Sequence, residues 1–218
     1  MNISKKTGNG MKKHLLTVQT NKLAVMEQYH SIQGEGHHSG KSAYFIRLAA
    51  CDVGCSWCDT KNSWNAKDHP ILTNNTIVEN VLKSKCNFVV ITGGEPTLYD
   101  LTYLTTALKT HNIKIAIETA GTNTLKAELD WVTFSPKKFK ASLEDYYTLS
   151  DELKIVICNK NDFIWAEDYA SKMKDSCKLY LQAEWSKRDE INPEIVKYIK
   201  KNPKWRISLQ SHKYLNIK

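Results

Sequence analysis

Residues 87–98 read Asn87-Phe88-Val89-Val90-Ile91-Thr92-Gly93-Gly94-Glu95-Pro96-Thr97-Leu98, and this stretch sets the architecture. Its first six residues are a short, β-branched run, the pattern of a strand buried in a parallel sheet. Two glycines and a proline then break the run. Leu98, Leu101, Leu104 and Leu108 follow three to four residues apart, which predicts a helix with one apolar face. Strand, turn and helix in that order make a βα unit.

The unit recurs on both sides. Strands are predicted at Ala43–Leu48, Lys114–Thr119, Trp131–Phe134, Leu153–Cys158, Leu179–Gln182 and Trp205–Leu209, with a further one over Leu23–His30. Ile77, Val78, Val81 and Leu82 share a helical face. Asp162 is placed to cap a helix whose apolar side includes Phe163, Tyr169 and Met173. Asn192-Pro193 reads as another helix start. Glu35–Ser42 and Cys51–Lys67 carry no helical pattern and read as loops. Repeated βα units imply a mainly parallel sheet with right-handed crossovers. A closed eightfold barrel usually takes about 250 residues, more than this chain offers. The expected fold is therefore α/β, an incomplete or trimmed βα barrel, with no break that would mark a second domain.

In such folds the chemistry gathers at the carboxyl ends of the strands. Five groups of unusual residues sit there: Cys51 and its neighbours, Gly93-Gly94-Glu95-Pro96, Glu118-Thr119-Ala120-Gly121, Ser135-Pro136-Lys137, and Gln182. They are expected on one rim.

Composition narrows the class. The chain has 218 residues, 41% hydrophobic and 25% charged, with a net charge of +8. These proportions fit one folded core. The lysines are dispersed, with small clusters at Lys137–Lys140 and Lys200–Lys204 and no aromatic platform among them, which speaks against a nucleic-acid partner. Apolar runs such as Phe88–Ile91 and Ile155–Cys158 fall far short of the roughly 20 residues of a membrane span. Leu15–Val18 is too short for a secretory leader. A cytoplasmic protein is expected, with a loose N-terminal extension over 1–22 and one domain over 23–218. Met11 is an alternative start.

Six cysteines are present. Cys86, Cys158 and Cys177 are dispersed beside apolar segments and read as small buried hydrophobes. Cys51, Cys55 and Cys58 are packed together, with Gly54 easing the wrap. That distribution argues for one metal site rather than a disulfide framework. Zinc in a structural site wants four protein ligands, and the fourth would have to come from His30, His37, His38, Asp59 or Cys86. Three cysteines also suit a four-iron cluster with one iron left open for chemistry. Spacing alone favours the cluster without closing the zinc reading.

The arrangement Cys51-x-x-x-Cys55-x-Trp57-Cys58 resembles the signature of the radical S-adenosylmethionine enzymes. Gly93-Gly94-Glu95-Pro96 resembles that superfamily's second motif, which binds the amino group of S-adenosylmethionine; alone it would be a plain βα turn. The resemblance implies a 4Fe–4S cluster on the three cysteines, S-adenosylmethionine on its open iron, and a deoxyadenosyl radical that takes hydrogen from the substrate.

A narrower resemblance covers most of the chain. Ser31-Ile32-Gln33-Gly34-Glu35-Gly36, Arg47, Asp59-Thr60, Glu118-Thr119, Ser135-Pro136-Lys137, Gln182 and Ser208-Leu209-Gln210-Ser211-His212-Lys213 look like the 7-carboxy-7-deazaguanine synthase family. What that implies is a lyase of queuosine and deazapurine biosynthesis, acting on 6-carboxytetrahydropterin and releasing ammonia. A homodimer and a flavodoxin- or ferredoxin-type electron donor are implied as well.

Residue by residue, the resemblance assigns Gly93, Gly94, Glu95, Ser135, Pro136, Lys137 and Gln182 to S-adenosylmethionine. Ala183 follows Gln182 where the family often has proline. Substrate falls to Ile32, Gln33, Gly34, Glu35, Arg47, Thr92, His212 and the terminal residue Lys218. Gln33, Gly34 and Glu35 can pair with the edge of a pterin, though alone they read as a turn. Arg47 can fork onto a carboxylate, though alone it reads as a surface ion pair. Thr60 is the implied magnesium ligand, though Asp59-Thr60 alone reads as a helix cap. His212 alone reads as a solvated tail residue. The rivals are a glycyl-radical activating enzyme, which would not need Gln33, Glu35 or Arg47, and a non-catalytic zinc-binding module.

Overall fold

The computed structural model describes residues 21–218. The expected N-terminal extension, and Met11 with it, lies outside the described residues except for Asn21 and Lys22. Among the described residues nine strands form one open sheet. In chain order these are β1 (Lys22–Ile32), β2 (Ser42–Leu48), β3 (Ile71–Thr73), β4 (Phe88–Gly93), β5 (Lys114–Thr119), β6 (Trp131–Phe134), β7 (Glu152–Ile157), β8 (Lys178–Ala183) and β9 (Trp205–Ile207). Their spatial order is β3-β1-β2-β4-β5-β6-β7-β8-β9. The run from β2 to β9 is parallel throughout. β1 lies antiparallel to both β2 and β3. The sheet is not closed, and β3 and β9 are its two edges, as a trimmed barrel requires.

Strand alternation divides the sheet into two faces. Ile46, Val89, Ile91, Ile115, Ile117, Leu153, Ile155 and Leu181 point one way. They pack on α1 (Asn74–Ser84), α2 (Thr102–Thr110), α4 (Asp162–Ala170) and α5 (Arg188–Lys201), with short turns α3 (Tyr146–Leu149) and α6 (Ser211–Tyr214) completing the set. Leu104, Leu108, Ile77 and Ile195 are fully buried there, each stabilising the fold by about 1.5–3 kcal/mol. The opposite face is smaller and more polar. Ala43, Phe45, Phe88, Val90 and Ala116 form an apolar plug at its amino-terminal half. Towards the carboxyl ends that face carries Arg47, Thr92, Glu118, Lys154 and Gln182.

Some elements differ from the sequence pattern. Leu98 is not on α2; Pro96–Leu98 form a separate 3-10 turn, and Leu98 is 39% exposed. Asp100 ends that turn by accepting from Thr102 N at 3.1 Å, so the helix starts later. Asp162 does not cap α4. Its carboxylate turns back to the amides of Cys158 at 2.6 Å and Asn159 at 2.9 Å, and Met173 lies past the helix end. α5 starts at Arg188 rather than Asn192. The turn Trp185–Lys187, capped by Glu184 onto Ser186 N at 3.1 Å, feeds straight into it. Pro193 then sits inside the helix, which tolerates it beside Ile191 and Ile195, both buried. Three-residue β3 carries no recognisable sequence pattern, and β9 is two residues shorter than expected.

Candidate active site

The carboxyl ends of the strands surround one cavity of about 420 Å³. Cys51, Cys55 and Cys58 line it, as do Thr60, Gly93, Gly94, Glu95, Ser135, Lys137 and Gln182. Ile32, Gln33, Gly34, Glu35, Arg47, Thr92, His212 and Lys218 line it too. Pro136 is buried and does not. The sequence-predicted rim is therefore one place in space.

The cysteine loop is fixed by backbone. Gly94 N donates to Leu48 O at 3.0 Å and Glu95 N to Ala50 O at 2.8 Å, zipping the loop after β4 to the end of β2. Gly93 has φ of 140°, and a Cβ there would come within 2.1 Å of Leu48 O. A Cβ on Gly94 would fall 2.0 Å from Ala50 O and 2.9 Å from the Cβ of Cys51. Only glycine lets the two backbones approach this closely. Val53, Cys55 and Ala120 bury together, with Cys51, Trp57 and Cys58 against them.

Burial pushes the Cys55 thiol up to about 11, although the Lys137 ammonium pulls it down. Burial likewise brings Lys137 down to about 8, opposed by Cys55. Lys137 Nζ donates to the carbonyl and the hydroxyl of Ser135. Among the described residues no three His, Cys, Asp or Glu side chains close on one ion-sized point. The thiols instead stand around the cavity wall. Three soft donors so placed, next to a cradle that only glycines allow, fit an iron–sulfur cluster with a ligand lying along the Gly93-Gly94 turn.

Glu95 has its carboxylate directed into protein. It accepts from Thr97 N at 3.1 Å, Thr97 Oγ1 at 2.6 Å, Ala120 N at 2.8 Å and the hydroxyl of Thr119. The side chain thus ties the loop after β4 to the loop after β5. Its contribution to the cavity is that positioning.

Polar side chains on the inner face complete the wall. Gln33 Nε2 donates to Glu118 Oε1 at 3.0 Å, and Thr92 Oγ1 donates to Glu118 Oε2 at 3.1 Å. Gln33 Oε1 accepts from Glu35 N at 3.1 Å. Glu35 forms an ion pair with Lys154 and accepts from Gln210 Nε2 at 2.9 Å. Burial pushes the Glu35 carboxyl up, but Lys154 and Gln210 more than offset it, and its pKa lies below the ordinary value. Arg47 Nε donates to Glu27 at 2.9 Å and its terminal nitrogen to Tyr29 Oη at 3.2 Å. Gln182 Oε1 accepts from Ser208 Oγ at 2.7 Å, which leaves its amide nitrogen to the cavity.

The tail closes one side. Ser211 N donates to Gly34 O at 3.0 Å, and His212 packs so tightly that a Cβ on Gly34 would meet its Nδ1 at 2.1 Å. Lys213 pairs with Asp59 at 2.6 Å. The terminal residue is held twice: Ser31 Oγ donates to Lys218 O at 2.6 Å, and Lys218 Nζ pairs with Glu27 at 2.8 Å. Thr60 does not cap a helix with its side chain; its hydroxyl donates to Asp59 Oδ1 at 3.1 Å.

Sequence reasoning assigns no role to Lys154, Gln210, Glu27, Tyr29 or Trp185, all of which line the cavity. It puts Glu118 on the rim without a partner. Lys154 has one signal, a charge inside the apolar run Leu153–Ile157. Gln210 lies within the stretch Ser208–Lys213 that carries the family resemblance, while Glu27, Tyr29 and Trp185 have no signal.

Known proteins are similar to this chain over most of its length. Residues 45–156 match the Radical SAM superfamily. A 7-carboxy-7-deazaguanine synthase from Flavobacterium psychrophilum is 51% identical over 89% of this chain and 92% of its own. One from Synechocystis sp. is 44% identical over 94% of this chain and 96% of its own. The crystal structure of QueE from Escherichia coli superposes with a TM-score of 0.77 at 26% identity, covering 92% of this chain and 99% of that one. On these matches the chain belongs to the radical S-adenosylmethionine superfamily and, within it, to the 7-carboxy-7-deazaguanine synthases.

Proposed function

We infer that this chain is a carbon–nitrogen lyase that converts 6-carboxytetrahydropterin to 7-carboxy-7-deazaguanine with release of ammonia, in queuosine biosynthesis. The observation that carries this reading is the shared cavity: three thiols, the Gly93-Gly94 turn and a polar inner wall face one space. A glycyl-radical activating enzyme or a zinc module would not need that wall, and neither accounts for relatives that match across nine-tenths of the chain.

The 4Fe–4S cluster and S-adenosylmethionine, when bound, supply a carbon-centred radical that abstracts hydrogen from the substrate. Cys51, Cys55 and Cys58 would hold the cluster. The backbone of Gly93 and Gly94, with Ser135, Lys137 and Gln182, would hold S-adenosylmethionine. Arg47 is suited to the substrate carboxylate, because a guanidinium can meet it with two parallel hydrogen bonds. Gln33, Glu35, Thr92 and Glu118 offer acceptors and donors to the flat ring edge. His212 and Lys218 would close the tail over it. Val53, Trp57 and Ala120 would give the cluster site an apolar wall. Substrate and product differ by one ammonia, so the lyase reaction needs no external oxidant.

Magnesium is proposed on the Thr60 hydroxyl, with substrate oxygens and water completing its oxygen shell. The family resemblance supports a flavodoxin- or ferredoxin-type electron donor and a homodimer. Ile207, Leu209, Tyr214 and Leu215 remain exposed along the β9 edge and tail, where a second copy would cover them. A cytoplasmic location is proposed; among the described residues no helix is long and apolar enough to cross a membrane.

Anaerobic turnover tests the reading. Reconstituted protein with reductant, S-adenosylmethionine, magnesium and 6-carboxytetrahydropterin is expected to form the deazaguanine and ammonia. Deoxyadenosine without that product would reject the substrate.

A further inference from the structure

Lys154 stands in the middle of β7 on the inner face, where only 7% of its side chain is exposed. A lysine so placed needs counter-charge. Glu35 supplies it directly as an ion pair, and the carboxylates of Glu118 and Glu152 act on the same ammonium. Glu35 comes from the loop after β1, Glu118 from β5 and Glu152 from the start of β7, so one cation gathers three acids. Two of them, Glu35 and Glu118, line the cavity together with Lys154. Glu152 does not; it accepts from Trp131 Nε1 at 3.2 Å and His37 N at 3.0 Å.

The cavity-facing acids are already oriented. Gln210 fixes Glu35, while Gln33 and Thr92 fix Glu118. What orientation alone does not settle is the protonation of Glu35. A carboxylate in a low-dielectric site tends to take up a proton unless a cation compensates. The two forms read a ring differently. An ionised carboxylate accepts two parallel N–H donors, such as an amino group and the neighbouring ring N–H of a 2-aminopyrimidinone. A neutral carboxylic acid offers one donor and one acceptor, which suits a ring bearing a carbonyl in place of the amino group.

We propose that Lys154 is a positioning and specificity residue, a fixed cation beneath the cavity that keeps Glu35 as an acceptor for the amino-bearing edge of the substrate ring. This rests on the pterin reading above. Lys154 does not donate the proton itself: its three carboxylate neighbours, working against burial, push its pKa up. The other titratable groups facing Glu35 and Lys154 are His212 on α6 and Lys137 after β6. Burial lowers both, and neither bonds Glu35.

The test is equilibrium binding to the reconstituted, unreduced holoenzyme under anaerobic conditions, followed by ligand fluorescence. The probes are pterin-6-carboxylate and lumazine-6-carboxylate, which differ in the amino group, titrated from about pH 6 to pH 9. Wild type is expected to prefer the pterin throughout. Lys154→Met is expected to bind the pterin roughly ten- to a hundredfold more weakly. Its preference should drift towards the lumazine as pH falls and Glu35 protonates. Lys154→Arg should restore the pterin preference. Unchanged affinity, pH profile and preference in Lys154→Met would overturn the proposal. If that variant does not fold, the double variant Lys154→Met with Glu35→Gln replaces the buried pair by neutral groups, and retained pterin preference there would overturn it equally. A wild type that binds neither ring would remove the pterin reading and this proposal together; where wild type binds the pterin, the behaviour of the Lys154 variants decides the role of Lys154 alone.

Discussion

Gln33 Nε2 meets Glu118 Oε1 at 3.0 Å, joining the loop after β1 to the carboxyl end of β5. The two residues are far apart in sequence and share no element, yet the pair sets how the Glu118 carboxylate faces the cavity. Gln33→Ala leaves Glu118 with Thr92 alone. Substrate KM is expected to rise about tenfold, the value of one charge-assisted hydrogen bond, with kcat much less affected. Anaerobic steady-state kinetics measure both, and an unchanged KM would remove Gln33 from the binding role.

Gly94→Ala forces a methyl group within 2.0 Å of Ala50 O and 2.9 Å of the Cβ of Cys51. Neither neighbour is a flexible side-chain end. The cysteine loop must shift, at a cost of about 1–3 kcal/mol, and iron bound per chain after reconstitution should fall. Iron and sulfide analysis beside a thermal melt reads this out; full iron content with unchanged melting would contradict it.

Glu95→Gln keeps the shape of a buried side chain that accepts from two backbone amides and two hydroxyls. An amide cannot accept at both of its heavy atoms, so at least one donor is stranded. The expected loss is about 2–4 kcal/mol, measured by urea unfolding of the apoprotein. A loss below measurement error would mean that the two loops do not depend on this carboxylate.

Asp162 tests the pH dependence of the fold. Burial raises its pKa, but the bond to Lys138 and those from the Cys158 and Asn159 amides prevail and lower it. A carboxyl depressed in the folded state stabilises above its unfolded value and loses that contribution as pH falls through the folded value. Asp162→Asn should therefore cost about 1–3 kcal/mol at neutral pH. Its deficit against wild type should shrink below about pH 4. Parallel unfolding curves at both pH values check the sign.

Lys218 O accepts from Ser31 Oγ at 2.6 Å at the edge of the cavity. Residues appended after Lys218 would push chain into the mouth of the cavity. Turnover should fall with a C-terminal tag and not with an N-terminal one. Equal activity of the two forms would release the tail from any role in substrate binding.

Most of the fold was legible because each core strand is an apolar run followed by a turn residue, as in Phe88–Gly93 and Lys114–Thr119. Elements without such a signature escaped. β3 is three residues of an edge, too short for periodicity. The start of α5 was masked by Pro193, since a proline near a cap residue imitates a first turn. In the site, cysteines and glycines were legible because their chemistry is local: thiol spacing, and backbone that tolerates no Cβ. Lys154 was not, nor was the partner of Gln210, because both meet Glu35, more than a hundred positions away in one case and farther still in the other. Long-range polar pairing leaves no imprint on local pattern.

The two faces of the sheet have a consequence for changing this enzyme. Along each central strand, alternate residues answer to different masters: Ile46, Ile91, Ile117 and Ile155 to the helices, Arg47, Thr92, Glu118 and Lys154 to the cavity. Ring preference can therefore be varied at the cavity-lining positions near the carboxyl ends of β2, β4 and β5, while Phe45, Val90 and Ala116 below them keep the plug and the intervening positions keep the helical side intact. A combinatorial library restricted to Arg47, Thr92 and Glu118 would search substrate space without touching the helix-packed core, whereas one shifted by a single residue would strike Ile46, Ile91 and Ile117 directly.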